Sequence, residues 1–114
     1  MTPAQEDLVE RIRDLIADEP VQREVSMFGD HCILVNDKMI VGAEKDGGLL
    51  VRVSADRNDE LILRAGARQA VMGHGREMGP GWITVDASEL DEEQLAFWVD
   101  AALENNAAVT GIGR

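Results

Sequence analysis

The chain has 114 residues, 45% of them hydrophobic, which suits one folded domain and excludes a disordered chain. Its 22 acidic and 11 basic side chains give a formal net charge of -11, which disfavours direct binding to nucleic acid or to an anionic membrane. No run approaches the roughly 20 apolar residues of a membrane span. The single cysteine, Cys32, cannot form an intramolecular disulfide, and no apolar signal region follows Met1. We therefore expect a cytoplasmic protein.

The amino-terminal segment is predicted to be a helix over 3–17. Thr2 is a suitable N-cap, Pro3 occupies a favoured first-turn position, and Gln5 completes a capping-box pattern with Thr2. The apolar residues at helical spacing, which should face the core, are Leu8, Ile12, Leu15 and Ile16. Apolar residues two apart then predict a first strand over 21–27.

Three further strands are predicted in the stretch that ends at residue 53. Apolar, mostly β-branched runs mark them at 33–35, 39–41 and 49–53. Asn36-Asp37 fits a two-residue hairpin turn, because both residue types tolerate a positive φ, and Asp46-Gly47-Gly48 marks the next turn. Connections this short make the strands antiparallel. Arg52 should point to the face opposite its two valine neighbours.

The pattern next predicts a helix from Ser54, its N-cap, through Arg64, with Gly66 at or near the left-handed position that ends it. A strand over 67–72 follows. A glycine-rich loop over 73–81 then leads into a strand over 82–85.

A last helix is predicted from its N-cap Asp91 onward, and Asn105 and Asn106 are expected to end it. Its apolar stripe consists of Leu95, Trp98, Val99, Ala102 and Leu103. We expect a single domain over 1–106 and a flexible tail over 107–114.

The predicted order of elements is helix, four strands, helix, two strands, helix. Neighbouring strands between helices indicate an α+β fold of two layers, an antiparallel sheet of about five to six strands with helices on one face. Such a sheet leaves its other face to water or to a second copy of the chain. The strands are apolar enough on both faces for a homodimer.

Metal and catalytic sites are not favoured by the sequence. His31, Cys32 and His74 are too few for a structural zinc site, and the first two should point to opposite faces of one strand. No nucleophile and base stand at a recognisable spacing. We predict no catalytic residue, no metal and no cofactor.

The glycine-rich loop lies beside a local excess of positive charge. No carboxylate occurs between Leu61 and Arg76. The cations in this part of the chain, which are candidate contacts for an anion or an acidic partner, are Arg64, Arg68, His74 and Arg76. The alternative, which we favour, is that they neutralise the seven acids that lie between residues 86 and 106.

Short motifs spread along most of the chain resemble the TfoX N-terminal domain family. The matching positions are Met27, Phe28, Gly29, Asn36, Lys38, Met39, Arg52, Gly66, Arg68, Gly75, Arg76, Met78, Gly81 and Trp82. The chain departs from the family pattern at Asp30, Asp37 and Gln69, and Gly79-Pro80 lengthens the loop.

The resemblance implies a non-enzymatic regulatory or protein-interaction domain, because members are similar to the amino-terminal half of a regulator of bacterial natural competence. In that regulator a second domain follows, so activities of the second domain are not expected here. The implied partner is a protein, a second copy included, rather than nucleic acid or membrane. Two alternatives stay open: a binder of a small anion or phosphate through loop 73–81, and an uncharacterised enzyme.

Overall fold

Three helices and six strands follow one another in the computed structural model, which describes residues 1–20, 22–27, 29–71 and 75–111. The helices are α1 (Pro3–Leu15), α2 (Asn58–Leu61) and α3 (Glu92–Thr110), with single 3-10 turns at Ala55–Arg57 and Ala87–Glu89. The strands are β1 (Gln22–Met27), β2 (Asp30–Val35), β3 (Lys38–Ala43), β4 (Leu49–Arg52), β5 (Ala67–Gln69) and β6 (Trp82–Val85). This order confirms the predicted α+β fold.

All six strands form one antiparallel sheet in the order β1-β2-β3-β4-β6-β5. The β2–β3 turn has the predicted chemistry: Asn36 and Asp37 have φ values of 53° and 65°, and Val35 stands opposite Lys38. β6 lies between β4 and β5, although β5 precedes it in the chain.

Helix α1 begins with the predicted capping box. The Thr2 hydroxyl accepts from the Gln5 backbone N–H, and the Gln5 side chain accepts from the Thr2 N–H. Gln5 is also buried, and its Nε2 donates to the carbonyls of Gly29 at 2.9 Å and Ala43 at 3.0 Å. This one amide therefore joins the helix to the β1–β2 turn and to the end of β3. Leu15, by contrast, was wrongly assigned to the core and is exposed.

The core lies between one face of the sheet and the helices α1 and α3. Trp98 is its largest fully buried side chain. The inward strand residues include Ile33, Val35, Val41, Ala43, Leu49, Val51, Ile83 and Val85, and the predicted stripe of α3 packs against them. No described helix packs on the opposite face, which we call the outer face.

Several predicted boundaries were wrong. Helix α1 ends at Leu15 rather than at residue 17, and β2 and β3 extend beyond the predicted 33–35 and 39–41. Helix α3 continues to Thr110 and ends at Gly111, whose φ is 67°, because Asn106 is buried and donates to the Val35 carbonyl at 2.8 Å instead of ending the helix. Helix α2 has a single turn, and Leu63 beyond it is 83% exposed. β5 ends at Gln69, beyond which a single bridge joins Val71 to Glu77. The division into a domain over 1–106 and a flexible tail stays a prediction.

A network of charges ties α1 to β1. Arg13 Nε and Nη2 donate to the two carboxylate oxygens of Glu24, each at 2.7 Å, and His31 Nε2 lies 2.7 Å from Glu24 Oε1. These bonds, chiefly those from Arg13, lower the pKa of Glu24 to about 2.

We expect Arg13→Gln to reduce stability more at neutral pH than in acid. Glu24 has an ordinary pKa near 4.5 when unfolded and a lower one when folded, so its ionisation stabilises the fold above pH 4.5. That contribution is lost as the pH falls toward 2. Urea unfolding at pH 7 and pH 3 should show a difference between variant and wild type that shrinks in acid. The matched control is Arg76→Gln, which removes an exposed guanidinium; an equal effect of both variants would contradict the assignment.

Candidate functional site

The outer face is assembled from alternate residues of the strands. Cross-strand pairing builds a central row across the whole sheet, formed by Val25, Cys32, Gly42, Leu50, Thr84 and Arg68. A second row contains Arg23, Leu34 and Met39, and Arg52 stands opposite Trp82. A register shift beside Ile33 leaves Ile40 without a partner in β2, so Met39 and Gly42 share the outer face while Ile40 joins the core.

The middle of the outer face is mainly apolar, and its central residues are largely buried by their neighbours. A Cβ on Gly42 would lie 3.1 Å from Met39 Cε and 3.5 Å from Cys32 Sγ, so the Met39 side chain lies across the glycine. Cys32 is only 3% exposed, and Leu34 and Leu50 are also buried by their neighbours. Burial, followed by the nearby Asp30, raises the pKa of the Cys32 thiol, which keeps it protonated and poorly nucleophilic.

One end of the outer face is acidic. Asp30, Glu44 and Asp46 gather there, and none of them forms an ion pair with another described residue. Glu44 is half-buried and accepts from Thr84 Oγ1 at 3.5 Å. Burial is the main cause that raises the pKa of Glu44, and the neighbouring Asp30 and Asp46 raise it further. Burial and Asp46 likewise raise the pKa of Asp30.

The opposite end of the outer face is basic. Arg23 is exposed, and the Arg52 guanidinium lies 4.8 Å from the centre of the Trp82 ring. Neither arginine has an ion-pair partner in the described part of the chain. The face is therefore an apolar strip with unpaired arginines at one end and, at the other, acids whose charge Lys45 and Arg68 offset in part.

The structure does not bring the predicted cations together. Arg64 lies on the helix side, where its guanidinium is 3.6 Å from the centre of the Phe97 ring and donates to Gln94 Oε1. Arg68 lies on the outer face and forms an ion pair with Asp86. Arg64 lies in the turns over 62–66 between α2 and β5, so it does not follow the alternation of the strand that carries Arg68. His74, the third predicted contact, lies outside the described residues. Arg76, the fourth, is exposed.

The described part of the glycine-rich loop is held by two side-chain amides, those of the buried Asn58 and the half-buried Gln69. Asn58 Oδ1 accepts from the Gly81 N–H at 2.8 Å, and Gln69 Nε2 donates to the carbonyls of Gly79 at 2.7 Å and Trp82 at 2.9 Å. The two side chains also bond to each other. Asn58 was not predictable as a residue of this region, because an asparagine in a short polar segment gives no signal that it is buried.

No metal centre is assembled among the described residues, where no group of three or more His, Cys, Asp and Glu side chains is placed to hold an ion. His31 and Cys32 point to opposite faces of β2, as predicted: His31 contacts Glu24 on the helix side, while Cys32 is part of the outer face. The third candidate, His74, lies outside the described residues.

A shallow cleft of about 290 Å³ separates the start of α1 from the β1–β2 turn. Its lining includes Thr2, Gln5, His31 and Lys45. The side chains of Thr2 and Gln5 already bond to protein carbonyls, and His31 bonds to Glu24. The cleft therefore presents no matched set of catalytic groups.

Most of the described positions that carry the family resemblance fall into two groups, to which Lys38, Arg76 and Met78 do not belong, and Phe28 lies outside the described residues. Some are turn residues with a positive φ, namely Gly29, Asn36, Gly66, Gly75 and Gly81. Others are side chains of the outer face, namely Met27, Met39, Arg52, Arg68 and Trp82. The pattern thus specifies the turns of the sheet and the surface that the sheet exposes.

Fold and site together define an α+β domain with a one-sided helix layer and an open, amphipathic sheet face. The family model of the TfoX N-terminal domain matches residues 14–106, so the chain belongs to that family. No curated protein and no solved structure gave a match. Neither α3 nor any other helix in the described ranges could serve as a membrane span.

Proposed function

We propose that this chain is a non-enzymatic regulatory domain that acts in the cytoplasm by binding protein through its outer face. The observation that carries the proposal is the position of the family-pattern side chains Met39, Arg52 and Trp82, which meet on a face that no described helix covers. An apolar centre with charged ends is the composition of a protein interface.

Membership of the TfoX N-terminal domain family supports a regulatory role over a catalytic one. The chemistry of the site points the same way. The only thiol is buried with a raised pKa, and the carboxylates Asp30 and Glu44 flank an apolar surface rather than a deep pocket.

The anion-binding alternative is less well supported by the described part of loop 73–81. The backbone N–H groups of Met78, Gly81 and Trp82 already donate to protein oxygens, so these amides are not free to bind a phosphate. Arg76 is exposed there, but Arg64 and Arg68 are turned away to Phe97 and to Asp86.

Site-specific photocrosslinking in cells tests the proposed surface. A benzophenone amino acid replaces Met39 on the outer face or, as the matched control, the exposed Leu63 on the chain segment after α2. We expect discrete crosslinked protein species from position 39 and much weaker ones from position 63. Mass spectrometry then distinguishes a second copy of the chain from another protein. No product from position 39, or equal products from both positions, would refute binding through the outer face.

A further inference from the structure

We infer that the outer face pairs with the outer face of a second copy about a two-fold axis that lies parallel to the sheet and perpendicular to its strands. The inference builds on the proposed function, since it names the occupant of the same surface. What points to it is the separation of unpaired charges toward opposite ends of one apolar strip.

The charges are separated along the strand direction. On β2 the acidic Asp30 and the apolar Leu34 are four residues apart, which is about 13 Å in a strand. Leu34 is flanked by Arg23 on the neighbouring strand β1. Glu44 follows β3 at the acidic end, whereas Arg52 closes β4 at the basic end.

In the proposed dimer each strand stacks on the same strand of the second copy, and the two run in opposite directions. Arg52 then faces the Glu44 end of the second copy, and Arg23 faces its Asp30 end. Both contacts occur twice, because a two-fold interface uses the same patch on each subunit. The other simple arrangement, with the axis parallel to the strands, would stack acidic end on acidic end and is opposed by repulsion between like charges.

The details of the surface suit this arrangement. Arg23 and Arg52 lack carboxylate partners among the described residues. The pKa values of Asp30 and Glu44 are raised chiefly by burial and further by repulsion from neighbouring acids, which Lys45 and Arg68 offset in part. An arginine from a second copy would relieve that repulsion.

The size of the surface predicts a weak dimer. Six strands that are spaced about 4.8 Å apart and are about five residues long on average give a footprint of roughly 400 Å² per copy. Counting both copies, that is below the roughly 1,200 Å² at which stable specific interfaces begin. The net charge of -11 on each chain adds a repulsion that is screened beyond about 8 Å at physiological ionic strength. We therefore expect a reversible dimer with a micromolar or weaker dissociation constant.

Sedimentation velocity over a wide concentration series, at physiological ionic strength, tests the inference with two charge reversals. Arg52→Glu and Glu44→Lys should each weaken self-association at least about tenfold, because each creates two like-charge contacts. An equimolar mixture of the two variants should associate again. In the mixed dimer each reversed side chain faces the other reversed side chain, and the remaining contact keeps its native charges.

The matched control is Arg57→Glu, which makes the same charge change away from the outer face, where Arg57 pairs with Glu60 and Glu104. It should leave the dissociation constant unchanged. Association in the mixture also proves that both single variants are folded.

The outcomes separate the two proposals. A wild-type chain that stays monomeric while position 39 crosslinks to a different protein overturns the inference and leaves the proposed function in place. A dimer that neither reversal weakens, or that the mixture does not restore, overturns the inferred arrangement. A monomer with no crosslink at position 39 overturns both.

Discussion

Replacing Gly81 by alanine is expected to lower the free energy of unfolding by about 3 kcal/mol or more. The glycine has a φ of 92°, and a Cβ there would lie 2.7 Å from the carbonyl oxygen of Val53. The obstacle is backbone rather than a movable side chain. It is also fixed in place, because the Val53 N–H donates to the Gly81 carbonyl at 2.8 Å. The substitution therefore strains the connection between the end of β4 and the start of β6.

Gly79→Ala is the control for this effect. Gly79 has a similar φ of 99°, but a Cβ there would have no neighbour within 4 Å. Its substitution should cost only the backbone strain, about 1 to 2 kcal/mol. Urea unfolding of both variants measures the difference. Equal losses would show that the close approach to Val53 contributes nothing.

The second large effect is expected at Gln5. Gln5→Glu keeps the size of the side chain but places a carboxylate against the carbonyl oxygens of Gly29 and Ala43, which now receive N–H donors. Two buried acceptors lose their partners and face a negative charge, so we expect a loss of about 3 kcal/mol at neutral pH. The favourable interaction of an acid with the start of α1 offsets only about 0.5 kcal/mol of that loss.

The pH dependence of the Gln5→Glu variant identifies the cause. A carboxyl group in this environment becomes protonated more readily and then offers one O–H donor to the two carbonyls. Thermal unfolding should therefore show the deficit of the variant shrinking as the pH falls from neutral toward 4. A deficit that is the same at both pH values would mean that packing, and not the charge, is responsible.

Features set by neighbouring residues were predictable from the sequence. The capping box of Thr2 and Gln5, the hairpin turn at Asn36-Asp37 and the Asp91 cap each depend on residues at most three positions apart. The residues that give each of these signals also form the hydrogen bonds or backbone angles of the feature. They fixed the order of the elements and, with it, the class of fold.

Features set by distant partners were not predictable. Asn106 was read as a helix end, yet it bonds to Val35, 71 positions away, and stays helical. Asn58 bonds to Gly81 across 23 positions. A buried asparagine and a capping asparagine look alike in sequence, because the difference lies in which chain segment packs beside them.

The outer face was predictable only in part. Alternation indicated that Arg52 points away from its valine neighbours, as the structure shows. Trp82 stands beside Arg52 because β6 is inserted next to β4. No local sequence pattern reveals that insertion. The relative positions of two candidate cations were hidden for the same reason: Arg64 and Arg68 are close in sequence, but they lie on different sides of the sheet.

The position of β6 between β4 and β5 also has a consequence for the order of folding. Strands β1 to β4 are joined by short turns, so their pairing closes small loops and can proceed early. β5 pairs in the sheet only with β6, so it has no neighbouring strand to join until the later strand has docked beside β4. In a chain growing from the ribosome, the meander can form while the second half is still being made. The surface that includes Arg52 and Trp82 is then among the last parts to be completed, so a partly synthesised chain does not present it.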